Sequence, residues 1–496
     1  MPYVIGIDLG TSSVKALLVN QAGRVVAEAT RPYPLLQPRP GFSEQDPEQW
    51  VQQTISVLQE LTTHSQVDPE EIEGLSFSGQ MHGLVLLDQH FQVLRPAILW
   101  NDTRTTEECQ EIRNKLGPRL LDITKNDALE GFTLPKLLWV KKHEPHLFEQ
   151  ARFFLLPKDY LRFRLTGEVH MELSDAAGTL LLDVIGQEWS QDVCAAFGLD
   201  RSFCPPLVQS HQCVGTLLPE IAGQTGLKTT TKVFAGGADN ACGAVGAGIL
   251  TPGVTLCSIG TSGVILSYED QDRDFGGKIH FFNHAKPDAY YTMGVTLAAG
   301  YSLSWFRKTF AHQESFDTLL RGVEQVPPGS RGLVFTPYLV GERTPHADAV
   351  IRASFIGIDG SHTRQDFVRA VLEGVTFSLQ ESIQLFRQAG KRVHTVVSIG
   401  GGAKSDVWLQ MQADVFDATV VKLNHDQGPA FGAAMLAAVG CGWFSSLDEC
   451  SQQFVQYEAQ FTPIPENVHK YEELFKIYQQ VYAQTRALNQ ALLPFR

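Results

Sequence analysis

The chain has 496 residues, of which 43% are hydrophobic and 19% are charged, as in an ordinary globular protein with ample core-forming material. A single hydrophobic core rarely serves a chain of this length, so two or three domains are expected. The formal net charge of −14, with no block of Lys and Arg, argues against nucleic acid or an anionic membrane surface as the partner.

The opening segment predicts a mixed α/β domain with antiparallel hairpins. "YVIGIDLG", "VKALLV" and "RVVAEA" are β-branched and apolar runs, separated by Gly-Thr-Ser-Ser and Asn-Gln-Ala-Gly turns. Asp46 followed by Pro47 then predicts the start of a helix. "EGLSFSGQMHGLVLLD" returns to strand, and residues 100 to about 230 are expected to be mostly helical and irregular. The apolar residues near one face of the first helix are Trp50, Val57, Leu58 and Leu61.

The opening pattern returns after the predicted strand "KVFAGGAD". "TLCSIGTSGVILSYE" repeats strand, Gly-Thr-Ser turn and strand, so that "DLGTSSV" at 8–14 aligns with "SIGTSGV" at 258–264. "GPAFGAAMLAAV" echoes "ADNACGAVGAG" as a helix of small residues, and "VRAVLEGVTFSLQESIQLF" predicts an amphipathic helix. We therefore expect an α/β fold with two copies of one architecture, residues 1–248 and 249–496, facing each other across a cleft.

Each Gly-Thr-Ser turn offers hydroxyl groups and backbone amides to an anion. Such a turn can form an anion-binding nest in a domain without net positive charge, although a plain hairpin turn explains either one alone. Their matching places in both halves favour a pair of turns that clamps the two ends of a triphosphate. The chain has no GxxxxGK[ST] and no GxGxxG motif after a strand, so neither a P-loop nor a Rossmann fingerprint competes.

A run of glycines, 400–402, ends the strand "VVSIG" just before a predicted helix. Backbone can approach a ligand closely there, and a helix N-terminus favours anionic groups, which points to a nucleoside or α-phosphate contact. A strand-to-helix turn that needs a positive φ accounts for one glycine of the run and hardly for three.

Two carboxylates stand at unusual places. Asp239 follows strand residues and opens a Gly/Ala-rich helix in "FAGGADNACGAVGAG", where it either serves chemistry or caps the helix. Asp8 lies between Ile7 and Leu9 on a central strand, where an acid is costly unless it meets a cation or a donor. We assign Asp8 to a magnesium ion, through water; a hydrogen bond to the backbone of residues 10–11 is the alternative.

The segments "IGIDLGTSSVKALL", "SGQMHGLVLLD", "LWNDTRT", "GGADNACGAVGAG", "SIGTSG" and "GGGAKSDVWLQMQADVF" occur in the order and spacing of the FGGY carbohydrate kinases. The resemblance extends from residue 4 to about 440, and the combination is specific although no single motif is. That family belongs to the actin-like ATPase superfamily, so the resemblance implies two actin-like (ribonuclease H-like) ATPase domains flanking a catalytic cleft.

The resemblance also implies a reaction and roles for residues. A sugar hydroxyl attacks the γ-phosphate of magnesium-bound ATP; Asp239 is the catalytic base, Asn240 contacts a neighbouring hydroxyl, and Asp8 is the residue associated with the metal. Phosphoryl transfer depends mainly on positioning and charge stabilisation, so one carboxylate aligned on the hydroxyl is enough. The residues expected to bind ATP are Thr11, Ser12, Gly260 and Thr261 in the two turns, with Gly401, Gly402 and Ser405 near the nucleotide.

The expected substrate is the ketopentose D-xylulose. Met81 offers an adaptable apolar wall and His82 two ring nitrogens for sugar hydroxyls, although a loop histidine is more often structural. The Met-His pair resembles the substrate-contacting pair of the family members that act on D-xylulose, whereas glycerol kinases carry Arg-Glu in this region. Trp100 is expected to stack on the carbon skeleton, with a buried core role as the alternative.

Other functions stay open at this point. A ribulose, gluconate or glycerol kinase shares everything except the Met81-His82 pocket, and a non-metabolic actin-like ATPase shares the two turns but lacks a sugar pocket. Gln427 stands where family members often carry an acid, and the charges of "TPYLVGERTPHAD" at 336–348 have no assigned role. The last helix, with Leu474, Tyr478 and Val481 on one face, is expected to pack on a domain or to support a homodimer.

The cysteine pattern and the apolar segments predict the cellular compartment of the protein. Eight cysteines form neither a CxxC pair nor a Cys/His zinc spacing, which favours buried thiols in a reducing cytosol. No segment resembles a signal peptide, because strand residues begin at the fourth position, and no apolar run reaches membrane-spanning length. A cytoplasmic enzyme is therefore expected.

Overall fold

A computed structural model describes residues 2–425 and 427–496 of the chain. Within them, each half is built on a mixed sheet of seven strands. The strands of the N-terminal half are β1 (Tyr3–Leu9), β2 (Ser13–Asn20), β3 (Val25–Pro32), β4 (Glu44–Gln45), β5 (Ile72–Gly79), β6 (Val85–Leu87), β7 (Ala97–Ile98), β8 (Phe153–Leu155), β9 (Met171–Glu172), β10 (Leu182–Asp183), β11 (Glu188–Trp189), β12 (Leu207–Val208), β13 (Cys213–Thr216), β14 (Lys232–Phe234) and β15 (Gly237–Ala238). Its helices are α1 (Pro47–His64), α2 (Thr106–Leu116), α3 (Arg119–Thr124), α4 (Thr133–His143), α5 (Pro145–Gln150), α6 (Pro157–Thr166), α7 (Leu173–Ala176), α8 (Gln191–Ala196), α9 (Pro219–Thr225) and α10 (Asp239–Gly246).

The C-terminal half follows from residue 254. Its strands are β16 (Val254–Ile259), β17 (Gly263–Glu269), β18 (His280–Asn283), β19 (Tyr290–Thr296), β20 (Val334–Thr336), β21 (Ser354–Ile356), β22 (Thr395–Gly400), β23 (Thr419–Leu423) and β24 (Tyr457–Phe461). Its helices are α11 (Gly300–Phe310), α12 (Phe316–Leu320), α13 (Arg364–Gln388), α14 (Asp406–Phe416), α15 (Pro429–Gly440), α16 (Leu447–Phe454) and α17 (Pro465–Ala491).

The two sheets repeat one topology. The first has the order β13-β14-β5-β1-β2-β3, with β15 also paired to β5, and the second has the order β18-β19-β17-β16-β22-β23-β24. In each, a central strand pairs antiparallel with the next strand in the chain and parallel with a later one: β1 with β2 and β5, and β16 with β17 and β22. The predicted mixed α/β fold is confirmed, and the two Gly-Thr-Ser turns occupy equivalent places.

Local sequence signals account for several of the element ends. The first helix begins at Pro47 after Asp46, whose carboxylate accepts a hydrogen bond from the backbone amide of Glu48. The predicted strand "KVFAGGAD" is interrupted, because Gly236 has a φ of +82° and separates β14 from β15. A side chain at Gly236 would place its Cβ 2.1 Å from the carbonyl oxygen of Phe77 on β5. Glycine is therefore required where the chain turns toward Asp239.

The two halves meet at a crossing of α10 with α15. A Cβ on Gly432 of α15 would lie 1.8 Å from the carbonyl oxygen of Cys242 on α10, so the two backbones are in direct contact. A Cβ on Gly246 would lie 3.0 Å from the amide nitrogen of Gly432. The small residues of the two helices thus allow this close crossing.

Two helices of the C-terminal half can be compared with their predicted burial. The first, α13, is more buried than its sequence predicts, and the second, α17, agrees with the prediction. The amphipathic helix predicted at α13 is instead buried on all sides from Val368 to Ile383, because it packs against the second sheet and against α11, α14 and α17. On α17, Tyr478 and Val481 are buried and Leu474 is half-buried, so this helix packs back on its own half.

Within the described residues, none of the helices has both the length and the apolar character required to span a bilayer.

Candidate active site

Two cavities between the halves share Asp239 and Asn240 in their walls. The larger measures about 270 Å³ and is named the sugar-side cavity because it contains Met81 and His82, for which the sequence predicts sugar contacts; the other measures about 180 Å³. The larger also contains Met81, His82 and Trp100 from the N-terminal half and Ser262, His280 and Arg343 from the C-terminal half. The smaller contains Ser258, Gln427, Gly428 and Pro429. The structure thus places Asp239 where two ligands, one in each cavity, could meet.

Asp239 is the first residue of α10, and its carboxylate is held by its neighbour. Oδ1 accepts hydrogen bonds from the backbone amide of Asn240 at 2.6 Å and from Asn240 Nδ2 at 3.0 Å. The residue at the N-cap position is Ala238, so the interpretation of Asp239 as the cap residue is wrong. Burial, and then the nearby charge of Asp8, raise the pKa of Asp239 to about 7. A carboxylate with this pKa exchanges a proton readily at neutral pH.

A buried polar network positions the backbone before Asp239. The amide of Ala238 donates to Ser174 Oγ at 2.9 Å, and that hydroxyl donates to Glu172 Oε2 at 2.7 Å. Glu172 and Lys158 are fully buried, with Lys158 Nζ 3.8 Å from Glu172 Oε2. Sequence analysis missed this network, since its members are more than 60 residues away from Asp239 along the chain.

Asp8 lies near the end of β1, with its carboxylate among buried groups. Ser78 Oγ donates to Asp8 Oδ1 at 2.9 Å, and burial raises the pKa of Asp8. The amide of Gly10 donates to the carbonyl of Ser13 at 3.0 Å and not to Asp8, which argues against the alternative of a backbone hydrogen bond. The positive charge of Lys15 opposes the rise in pKa, and Lys15 Nζ also donates to Gln427 Oε1 at 3.2 Å across the two halves.

The carboxylate of Asp8 fits a magnesium ion shared with a phosphate. Burial raises the pKa of Asp8, and the charge of Asp8 in turn raises the pKa of Asp239, so a cation at Asp8 would reduce the repulsion between them. Among the described residues, no group of three or more His, Cys, Asp or Glu side chains could hold a metal alone. Magnesium commonly takes only one or two carboxylates and completes its shell with phosphate and water, so this donor set is sufficient.

Each Gly-Thr-Ser turn holds the amide of its glycine in an internal hydrogen bond, although the two bonds differ in span. The amide of Gly10 donates to Ser13 O, three residues on, and the amide of Gly260 donates to Ser262 O, two residues on, each at 3.0 Å. Within the described part of the chain, the amides of Thr11, Ser12, Thr261 and Ser262 have no acceptor. Both turns therefore have unused amide donors, as a phosphate-binding nest requires.

His82 is held in a strained backbone conformation that directs its ring into the sugar-side cavity. Its φ is +67°, and its carbonyl accepts hydrogen bonds from Thr133 Oγ1 and Lys136 Nζ, each at 3.0 Å. His82 Nδ1 lies 2.7 Å from the carbonyl of Gly178, which can only accept, so Nδ1 carries the proton. Burial lowers the pKa of His82 to about 3. The ring is therefore neutral, and Nε2 is left as a hydrogen-bond acceptor.

Met81 and Trp100 complete the wall from the N-terminal half. Met81 is buried, and its sulfur lies 3.5 Å from Asn240 Nδ2 and 3.7 Å from the hydroxyl of Tyr291. Trp100 is 44% exposed, so the alternative of a core tryptophan is wrong. Its Nε1 donates to Thr11 Oγ1 at 2.9 Å, which connects the sugar-side wall to the first turn.

The glycine run at 400–402 has structural reasons for two of its members. Gly400 has a φ of +75°, and a Cβ on Gly402 would lie 2.6 Å from the side chain of Ile259. Gly401 is exposed. Ser405 is the cap of α14, where its hydroxyl accepts from the amide of Trp408 at 3.4 Å. Fold requirements thus explain more of this segment than the sequence analysis expected.

Family models match both halves of the chain. The N-terminal domain of the FGGY family of carbohydrate kinases matches residues 3–246, and the C-terminal domain of that family matches residues 255–441. The chain belongs to the FGGY family of carbohydrate kinases. It is therefore a carbohydrate kinase, and the resemblance noted from its motifs is confirmed.

Relatives of this FGGY kinase align over its whole length. It is 65% identical to the xylulose kinase of Bacillus subtilis (strain 168) over 497 residues, covering 100% of both chains. Ligand-bound xylulose kinase from Lactobacillus acidophilus superposes with a TM-score of 0.94 at 28% identity, covering 99% of this chain and 100% of that one. Gluconate kinase from Lactobacillus acidophilus gives a TM-score of 0.93 at 28% identity, covering 99% of each. The two-domain fold is thus common to kinases of different sugars.

In the C-terminal half of this FGGY kinase, two residues that the sequence analysis did not single out belong to the wall of a cavity. His280, on β18, and Arg343, in the segment between β20 and β21, both line the sugar-side cavity. The charged segment "TPYLVGERTPHAD" contains Arg343 and was the available signal for it. His280 is the first residue of β18, and no sequence motif around it indicates a role in a binding site.

Proposed function

We propose that the chain transfers the γ-phosphate of ATP to the 5-hydroxyl of D-xylulose, giving D-xylulose 5-phosphate and ADP. The main support for D-xylulose as the substrate is the 65% identity, over the full length of both chains, to the xylulose kinase of Bacillus subtilis. The fold alone does not select the sugar, since a gluconate kinase shares it. The pair Met81 and His82, in the same cavity as Asp239, supports the choice.

In this proposal the sugar occupies the larger cavity with its reacting hydroxyl at Asp239. The carboxylate accepts the hydroxyl proton as the oxygen attacks the γ-phosphorus, and Asn240 contacts the neighbouring hydroxyl. A pKa of about 7 leaves a useful fraction of Asp239 ionised at neutral pH while keeping it basic enough to accept the proton. His82 Nε2 accepts a hydrogen bond from another hydroxyl, and Met81 packs against the carbon chain.

ATP is proposed to lie between the turns at 10–12 and 260–262. Their unused amides, with the hydroxyls of Thr11, Ser12 and Thr261, donate to phosphate oxygens, and Gly260 permits close approach. Magnesium, when bound with ATP, neutralises charge on the β- and γ-phosphates, and Asp8 is the residue that we expect to hold it. We place Gly401, Gly402 and Ser405 beside the nucleoside, and the boundary between sugar-binding and nucleotide-binding domains at residue 248.

A substrate panel tests the proposal. ADP production is measured by a coupled assay with D-xylulose, ribulose, gluconate, glycerol and related polyols, each with ATP and Mg²⁺. We expect D-xylulose to give the highest kcat/KM. Preference for another of these compounds would refute the xylulose assignment and leave the kinase family intact. ATP consumption that no sugar stimulates would instead favour an actin-like ATPase.

Replacement of His82 by alanine should lower kcat/KM for D-xylulose by about ten- to a hundredfold, the cost of losing one buried hydrogen bond to a sugar hydroxyl. ATP affinity without sugar should barely change, because the nucleotide is placed at the turns. Titration calorimetry measures the two affinities separately. His90, an exposed histidine, provides the matched control in His90→Ala. An equal loss of sugar and ATP affinity would contradict the assignment.

Replacement of Thr11 or Thr261 by valine should raise KM for ATP and lower turnover while sparing sugar binding. Each substitution keeps the shape of the side chain and removes a hydroxyl that we assign to phosphate. Thr261→Ser and Thr11→Ser retain the hydroxyl and serve as controls that should keep most activity. Because Thr11 also accepts a hydrogen bond from Trp100, Thr261 gives the cleaner test. Unchanged ATP kinetics in Thr261→Val would exclude the second turn as a phosphate site.

A further inference from the structure

The wall that the C-terminal half contributes to the sugar-side cavity is rigidly anchored at Arg343. The preceding residue, Glu342, is buried, and its carboxylate accepts four hydrogen bonds. The donors are Thr296 Oγ1 at 2.5 Å, Ser378 Oγ at 3.0 Å, the amide of Leu297 at 3.1 Å and the amide of Arg343 itself at 2.8 Å. The backbone at Arg343 is therefore fixed to β19 and α13, although its side chain is exposed in the cleft.

Among the residues that the structure describes, the guanidinium of Arg343 has no partner. Within the described residues it makes neither a hydrogen bond nor an ion pair, and the nearby negative charges of Glu130 and Glu342 act on it only at longer range. An arginine side chain carries five N–H donors and no acceptor. A fixed backbone thus presents an unused, charged donor group to the sugar-side cavity.

The two histidines of the same cavity, His82 and His280, are hydrogen-bond acceptors toward it, whereas Arg343 is a donor. His82 Nδ1 donates to the carbonyl of Gly178 at 2.7 Å, and His280 Nδ1 donates to Asn126 Oδ1 at 3.2 Å. Asn126 Oδ1 also accepts from the amide of Phe281, which fixes it as an acceptor. Burial lowers the pKa of both imidazoles to about 3, so each is neutral and each Nε2 can only accept. These rings bind hydroxyl groups and cannot satisfy a carbonyl oxygen.

We propose that Arg343 is a specificity residue that donates hydrogen bonds to the keto oxygen of the bound sugar, while His82 and His280 accept from its neighbouring hydroxyls. A ketone oxygen has lone pairs and no proton, so it requires a donor that the two imidazoles lack. A guanidinium is suited to this role because its planar fork can engage one acceptor and an adjacent oxygen together. The inference rests on the proposed ketopentose substrate and adds the residue that reads its ketone.

The experiment compares D-xylulose with xylitol, which has a hydroxyl group in place of the C2 ketone. Both are titrated by calorimetry without nucleotide and assayed for ADP production, with wild type, Arg343→Met, Arg343→Lys and the control Arg352→Met. Arg352 donates to local carbonyls at Ala349 and Ile351 and does not line the cavity. Thermal unfolding of each variant confirms that it is folded.

We expect Arg343→Met to lower affinity and kcat/KM for D-xylulose by about ten- to a hundredfold, because a charged donor to a buried acceptor is lost. The loss for xylitol should be less than about fivefold, since its C2 hydroxyl carries its own proton, can donate to water or to another acceptor, and does not depend on a protein donor. Arg343→Lys should fall between, and Arg352→Met should match wild type. Equal losses for the two compounds, or a loss confined to KM for ATP, would overturn the inference while leaving the proposed function intact. A wild-type enzyme inactive with D-xylulose would refute the proposed function itself.

Discussion

Replacement of Asp239 by asparagine should lower turnover of D-xylulose by about two to four orders of magnitude, the range that a positioned general base contributes. The amide keeps the size and polarity of the carboxylate, and its oxygen can still accept from the amide of Asn240. It cannot accept the hydroxyl proton. The loss should therefore appear in kcat, with the Kd of D-xylulose changed little, as steady-state kinetics and calorimetry can measure.

The pH dependence separates this catalytic role from a structural one. The wild-type rate should rise with pH through about 7 as Asp239 ionises. The unfolded carboxyl, with a pKa of about 3.9, releases its proton before the folded one does, so this group lowers stability as pH rises from about 4 to 7. Asparagine has no proton to lose. Asp239→Asn should thus be at least as stable as wild type above pH 7, and a variant that is active or unfolded there would contradict the assignment.

Replacement of Asp8 by asparagine should lower turnover by about two to three orders of magnitude, because charge on the β- and γ-phosphates is then poorly neutralised. The side chain can still accept the hydrogen bond from Ser78, so folding should be preserved. The concentration of Mg²⁺ required for half-maximal activity should rise. Kinetics over a range of Mg²⁺ concentrations at fixed ATP provides the measurement.

A measurement that does not depend on turnover supports the test of Asp8. Ligands that bind the folded state raise the midpoint of thermal unfolding, so ATP with Mg²⁺ should stabilise wild type more than ATP with EDTA. In Asp8→Asn this difference should largely disappear. Asp88, a half-buried aspartate in a turn away from the cavity, gives the control variant Asp88→Asn. An undiminished Mg²⁺ effect in Asp8→Asn would exclude Asp8 as the metal residue.

Features set by neighbouring residues could be predicted from the sequence. Pro47 opens α1 as expected, and the two Gly-Thr-Ser turns join equivalent strands because each lies between β-branched runs. Two separate motifs predict the site, one with Met81 and His82 and the other with Asp239 and Asn240. The structure brings all four residues to one cavity. Local patterns carry this information because strand ends, turns and caps depend on a few adjacent residues.

Features set by distant contacts could not be predicted. Lys136 fixes the carbonyl of His82 from 54 positions away, and nothing near either residue indicates this hydrogen bond. Arg343 reaches the cavity because Glu342 binds β19 and α13, an arrangement that exists only after the second half has folded. The periodicity of α13 indicated one apolar face, whereas packing on several sides buries its polar residues too. Long-range packing overrides local pattern in each case.

The contact of Gly432 with the carbonyl of Cys242 gives the molecule a natural pivot. Any rotation of one half about this crossing displaces each atom in proportion to its distance from the axis. Asp239 begins α10 three residues before Cys242, about 4.5 Å along the helix, and therefore travels little. Ser262, in the second turn, and Arg343 line the cavity from the opposite half, and we expect such a rotation to displace them more. We expect such a pivot to let the enzyme admit and release its ligands with little displacement of Asp239, the residue proposed as its base.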